Sequence, residues 1–172
     1  NKEERTKMYK TIPRSSAIGF LIGVLPGAGA TIASFLAYGM ERNIVNDEEK
    51  EKFGKGSVNG LSAPETANNA ACSGSFVPML TLGIPGSGTT AVMLGALLGF
   101  GVQPGPRLYM TNPEIFWSII MSMYIGMVIL LILNLPLIPY IARILAVPKN
   151  YLIPLILFFS ITGIYVMSFN NF

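Results

Sequence analysis

The sequence has no histidine and one cysteine, Cys72. Lack of histidine removes the usual general base near neutral pH and the commonest metal ligand. A single cysteine permits neither an internal disulfide nor a cysteine-based metal centre, and no metal site is read. Charge is scarce as well. Asp, Glu, Lys and Arg make up 12% of the 172 residues, against roughly 25% in soluble domains. The net charge is +3, and the basic residues lie at the edges of the apolar runs and form no basic face of the kind a nucleic-acid surface requires. Ser73 and Ser75 have no histidine partner and no G-x-S-x-G elbow occurs, which argues against a hydrolase and for a non-enzyme. Cys72 reads as a packing residue. No cofactor loop is present. Ile32 and Ala91 stand where G-x-G-x-x-G needs its third glycine, and no Gly-Lys-Ser/Thr follows.

What the chain does have is apolar surface: 51% hydrophobic residues and a mean hydropathy of +0.53. From Thr66 to Pro106 there is no charged side chain, about twice the ~20 residues that cross a bilayer. Yet Pro78, Pro85, Pro104, Pro106 and several glycines forbid one straight helix. Uncharged polar residues are embedded there: Asn68, Asn69, Ser73, Ser75, Thr81, Ser87, Thr89 and Thr90. In hydrocarbon, broken backbone survives only where it lines a buried or water-filled cavity. The stretch therefore reads as a solute site inside a membrane.

The rest of the chain fits around it. Residues 1–16 are a basic flank, placed in the cytoplasm by the positive-inside rule. Residues 17–39 are uncharged but interrupted at Pro26-Gly27-Ala28-Gly29. Each half is about ten residues, or ~15 Å of helix. The segment is either a discontinuous spanning helix or a re-entrant hairpin, and the hairpin is favoured. Residues 40–56 form a charged connector, expected as a short solvated helix with Glu48/Lys52 and Glu51/Lys55 pairs. Residues 57–106 are the core motif segment. Residues 114–142 read as a span with Trp117 as interfacial anchor, bent or ended by Pro136 and Pro139. Arg143 and Lys149 mark a cytoplasmic turn, and 150–172 reads as a further span. Residues 101–112 would then be an outer loop. The fold class is all-α: a polytopic membrane protein with discontinuous or re-entrant helices and proline-glycine breaks, forming one membrane transport domain over 1–172. The start at Asn1 and the charged first residues show no signal peptide, so the expectation is a portion of a longer chain.

Two breaks share a pattern, Pro26-Gly27-Ala28-Gly29-Ala30-Thr31 and Pro85-Gly86-Ser87-Gly88-Thr89-Thr90, or P-G-[AS]-G-[AT]-T. Matching interruptions in corresponding hydrophobic segments point to a transporter binding site. Proline and glycine stop one half-helix, and the next begins with unsatisfied N–H groups. Those groups and the helix dipole attract a carboxylate, while carbonyls freed at the break can bind Na⁺. Close helix packing is the other role open to these glycines. The candidate substrate-binding residues are Gly27, Gly29, Thr31, Asn68, Asn69, Gly86, Ser87, Gly88, Thr89 and Thr90. Ser62-Ala63-Pro64-Glu65 reads as a helix start, with Ser62 as cap and Pro64 in the first turn. Glu65 then either complements a helix dipole or binds the coupling Na⁺ or H⁺. Of Asn68 and Asn69, one is expected toward the cavity and one toward a neighbouring helix.

The stretch APETANNAACSGSFVPMLTLGIPGSGTTAVMLGALLGFGVQPGP, with IGFLIGVLPGAGATIASFLAYGMERN and LIPLILFFSITGIYVMSFNNF, resembles the large membrane permease subunit of tripartite tricarboxylate transporters. The resemblance implies a bacterial inner-membrane protein that takes up citrate or other carboxylates with a cation. It also implies a small membrane subunit and a periplasmic solute-binding protein as partners, and no cofactor beyond the coupling ion. Family permeases are much longer, so this chain would be a later portion. The resemblance carries over Pro26, Gly27, Gly29, Pro64, Glu65, Asn68, Asn69, Pro85, Gly86, Pro104, Gly105 and Pro106. The reading is thus a cation-coupled secondary transporter permease. A channel and a non-transporting membrane assembly subunit stay open as other classes.

Overall fold

The computed structural model describes residues 2–143 and 148–167. The chain divides into two units, residues 1–118 and 119–172. Helices α1 (Lys2–Val24), α2 (Gly29–Ile44), α3 (Asp47–Lys50), α4 (Val58–Gly74), α5 (Phe76–Leu82), α6 (Gly88–Gly99) and α7 (Leu108–Thr111) belong to the first. Helix α8 (Pro113–Ala142) starts there, and α9 (Lys149–Met167) lies in the second. Among the described residues there is no strand.

The first unit is built on three stripes spaced by four residues, the repeat that keeps side chains on one helix face. They are Thr11, Ser15, Gly19 and Gly23 on α1; Ala33, Ala37 and Glu41 on α2; and Asn59, Ala63, Ala67 and Ala71 on α4. Every one of these residues is buried. A Cβ added at Gly19 would fall on the Ala67 carbonyl, and one at Gly23 on the Ala71 carbonyl. That constant offset makes α1 and α4 parallel and holds their backbones in close contact, as small residues allow in membrane helices. Large apolar side chains lie outside: Leu21 is 64% exposed and Phe35 73%. Small and polar residues inside with large apolar ones outside reverses the soluble pattern and suits a lipid surround.

Helices α1 and α2 form an antiparallel hairpin. Nη2 of Arg14 donates to both Glu41 oxygens, at 2.7 and 2.9 Å, so the chain has doubled back between them. The turn uses left-handed backbone at Gly27 (φ 82°) and Gly29 (φ 69°), which glycine adopts without a Cβ penalty. Two short bonds close it, from Leu25 N–H to Ile22 O (3.1 Å) and from Ala28 N–H to Leu25 O (3.2 Å). The arms exceed the expected ten residues: α1 has 23 and α2 has 16. Both helices continue through the charged flanks, because residues there find partners on neighbouring helices.

Other expectations change. The start of α4 is capped by Ser57, whose Oγ accepts from Gly60 N–H at 3.1 Å. Ser62 and Pro64 are inside the helix, not at its first turn. Left-handed Gly54 and Gly56 turn the chain so that Ser57 reaches the cap position first. The connector is not simply solvated. The Glu48–Lys52 pair forms at 3.2 Å on the surface, but Glu41 is fully buried and Glu49 is 7% exposed, and α3 is a single turn.

In α8, Pro136 and Pro139 lie within the helix, which runs on to Ala142 instead of ending there. No residue of α8 is buried. Its mean hydropathy reaches 2.4, and among the described residues it is the one helix long and apolar enough to cross a membrane. Residues 88–99 and 150–166 are shorter apolar helices. The end of the 150–172 span (168–172) and the middle of the basic turn (144–147) lie outside the described residues.

Candidate functional site

Both proline-glycine breaks lie at one end of the α1/α2/α4 bundle. Gly86 is buried there. A Cβ on it would stand 3.1 Å from Ser75 Cβ, at the end of α4, and 3.4 Å from Gly23 O, in the last turn of α1. Pro26 is three residues beyond Gly23, at most about 11 Å of chain. In both copies the next helix begins at the second glycine of the motif, Gly29 for α2 and Gly88 for α6. The echo in the sequence is therefore an echo in register.

The two helix starts differ in chemistry. Ala28 gives α2 no side-chain cap, and a Cβ at Gly27 or Gly29 would meet nothing within 4 Å. Thr31 is exposed on the first turn of α2. Helix α6 instead has a capping box. Ser87 Oγ accepts from Thr90 N–H (3.2 Å), and Thr90 Oγ1 accepts from Ser87 N–H (2.8 Å). The buried Thr90 hydroxyl also donates to Ser87 O at 2.9 Å. Thr90 is thus committed to the cap, while Ser87 keeps its own hydroxyl proton, shared at most with Thr90 Oγ1 at 3.1 Å. Gly88 and Thr89 are exposed. The open donors at this end are the first-turn N–H groups outside the capping box together with the Thr31, Ser87 and Thr89 hydroxyls.

The residues expected on α4 sit farther along the bundle. Asn68 is about seven positions, or roughly 10 Å, from Ser75. Its Nδ2 donates to Ser34 Oγ on α2 at 3.2 Å, and Ser34 Oγ reaches Ala30 O at 3.0 Å and Pro64 O at 3.1 Å. Asn68 is the amide that faces a neighbouring helix. Asn69 is exposed and its Nδ2 donates to Glu65 O of its own helix at 2.9 Å. Glu65 is exposed about ten positions, roughly 15 Å, from Ser75. It lines a groove of about 640 Å³ with Met8, Ile12, Tyr38 and Ser62, to which no residue of either break contributes. Among the described residues no three His, Cys, Asp or Glu side chains gather as they would around a metal ion.

Sequence reasoning missed the polar cluster at the opposite end of the bundle. The Glu41 carboxylate, fully buried, accepts from Arg14, from Thr11 Oγ1 (2.8 Å) and from Asn59 Nδ2 (2.9 Å). Asn59 Nδ2 also donates to Thr11 Oγ1 at 3.1 Å. Glu49 accepts from Lys7 Nζ (2.9 Å) and Ser57 Oγ (2.9 Å). The Lys7 hydrogen bond, helped by Ser57 and by the positive charge of Lys7 and Lys52, outweighs burial and holds the Glu49 carboxyl below the ordinary carboxylate range. A signal for Glu41 existed: it continues the four-residue repeat Ala33, Ala37, as Asn59 begins the repeat Ala63, Ala67, Ala71.

A family model described as "Tripartite tricarboxylate transporter TctA family" matches residues 1–172. An uncharacterized 52.8 kDa protein in the TAR-I ttuC' 3' region of Agrobacterium vitis is 41% identical over 172 residues, which is 100% of this chain and 34% of that protein. An uncharacterized protein in the TAR-II ttuC' 3' region of the same organism is 44% identical over 154 residues, covering 90% of this chain and 63% of the relative. The chain thus spans about a third of the first relative and less than two thirds of the second. No solved structure matches.

Proposed function

The chain belongs to the tripartite tricarboxylate transporter TctA family, and from that premise we propose that it is part of a secondary active permease for tricarboxylates or related carboxylates. It works by alternating access in a bacterial inner membrane, multi-pass, as a transport component and not an enzyme. Its partners are a small membrane subunit and a periplasmic solute-binding protein. The observation that carries this reading is that two helices start at the second glycine of P-G-x-G, both at one end of one bundle.

A carboxylate docks on the N–H groups that follow Pro26 and Pro85. Gly27, Gly29 and Gly88 let it approach the backbone, and Gly86 lets the second break pack against Ser75 and Gly23. Thr31, Ser87 and Thr89 add hydroxyl donors, and Thr90 holds Ser87 in place. Asn68 and Asn69 contribute from α4 only if that helix shifts toward the breaks during the cycle. Glu65 binds the coupling Na⁺ or H⁺ from its separate groove, so coupling passes along α4 instead of through a shared cavity.

The test is uptake of radiolabelled citrate by the full-length permease reconstituted with its two partners. Concentrative uptake driven by an imposed Na⁺ or pH gradient, with the gradient dependence lost in Glu65→Gln, is the expected outcome. Flux that never exceeds equilibrium indicates a channel and contradicts the reading. Wild-type gradient dependence in Glu65→Gln removes the role of Glu65.

A further inference from the structure

Arg107 is the one cationic residue between Lys55 and Arg143. It stands exposed in the wall of a recess of about 500 Å³ lined also by Gln103, Pro104, Thr111 and Asn112. Among the described residues no carboxylate pairs with its guanidinium. The recess is held by buried residues on both sides, Val102 and Pro104 before it and Leu108 after it. It is also tied to the core motif. Gly105 N–H donates to Leu80 O of α5 at 3.2 Å. Gly83 ends α5 in left-handed backbone at φ 71°, and a Cβ there would stand 2.9 Å from Pro104 O. Gly83 is two residues from Pro85, so the recess adjoins the second break.

We propose that this recess is a carboxylate-anion capture site, with Arg107 as the charge that holds the anion beside the Pro85 break. A guanidinium presents a planar fork of donors that matches a carboxylate. Gln103 carries a side-chain amide, and Asn112 keeps one amide N–H beyond the bond its Nδ2 gives to Thr111 Oγ1 (3.2 Å), so both can donate to the remaining oxygens of a polycarboxylate, while the Thr111 hydroxyl donates to Arg107 O at 3.1 Å. No acidic side chain lines the recess, so nothing within it competes for the guanidinium. In a stretch otherwise free of positive charge, one arginine in a concave site concentrates anions locally. Anion binding follows from these residues alone; the choice of carboxylates rests on the function proposed above.

The full-length permease in detergent, modified with phenylglyoxal and mapped by mass spectrometry, tests it. Citrate at constant ionic strength should slow modification of Arg107 about threefold or more and leave the exposed Arg42 unchanged, while its uncharged trimethyl ester protects neither. Asn112→Asp places a negative charge in the recess and should abolish citrate protection, with Arg107 still modified at a measurable rate. Equal Arg107 rates with and without citrate overturn the proposal, as does equal slowing of Arg42. Undiminished protection in Asn112→Asp overturns it too. Protection without any citrate uptake keeps the recess and removes the transport reading, and uptake without protection does the reverse.

Discussion

Glu41 is the residue on which the charged end of the bundle depends. Its carboxylate is fully buried and takes four donated hydrogen bonds from Arg14, Thr11 and Asn59. Removing one partner of a buried pair leaves the other charge uncompensated, typically costing about 3–5 kcal/mol. Arg14 is partly open to solvent, which puts Glu41→Ala toward the lower end of that range. Thermal unfolding of the purified permease should show Glu41→Ala well below wild type and Glu41→Gln between them. Glu49 adds a pH dependence. Its folded carboxyl titrates below the ordinary value of about 4.3. Its contribution is therefore full above that pH and is lost as pH falls through the lower folded value. The wild-type unfolding midpoint should fall more steeply than that of Glu49→Gln below about pH 4.3. Neither acid was legible as a buried group. A charge-rich segment reads as solvated when taken alone, and only the helix face that continues from Ala33 and Ala37 shows where Glu41 goes.

At the scale of elements, the hairpin and its packing were unequally legible. Pro26-Gly27-Ala28-Gly29 announced the interruption, because proline and left-handed glycine cannot continue a helix. The sense of the turn was not decidable from flanking charge, since spanning and returning chains leave the same signs on both sides. The Arg14–Glu41 pair decides it. The glycines also divide by role in a way that sequence alone left open. Gly19 and Gly23 are packing residues of α1, whereas Gly27 and Gly29 are conformational and open. Gly23→Leu drives a side chain into the α4 backbone, where overpacking costs about 1–3 kcal/mol or more. Gly39 has ordinary helical backbone, and a Cβ there meets nothing within 4 Å. Gly39→Ala should then stabilise by about 0.5–1 kcal/mol. Paired melting curves of the two variants check the assignment, and equal loss from both contradicts it. Ser62 resembles a cap in the sequence, but the cap is Ser57, which depends on the turn made by Gly54 and Gly56.

At the scale of the molecule, composition and motif were informative where they had physical consequences. Scarce charge and broken apolar runs gave the all-helical class, and the long central motif gave the family. The distribution of residues in space was less legible. Large apolar side chains face outward along α8, which has no buried residue, while alanine, glycine and polar groups fill the seams between α1, α2 and α4. Linear hydropathy cannot distinguish these faces. The candidate residues fell into two places for a similar reason: Glu65 and the asparagines share a motif with Pro85, but a helix of 17 residues carries them away from the break.

In the proposed function the starts of α2 and α6 receive one carboxylate. Thr31→Asp and Thr89→Asp test it most directly. An acid in the first turn of a helix favours the fold by about 0.3–1 kcal/mol, so both variants should assemble normally, yet each puts a negative charge where the anion docks. Citrate uptake by the reconstituted permease should show KM raised at least about tenfold in each, the equivalent of ~1.4 kcal/mol, while Thr81→Asp on α5 leaves KM unchanged. Wild-type KM in both Thr31→Asp and Thr89→Asp would show that no carboxylate docks at these helix starts.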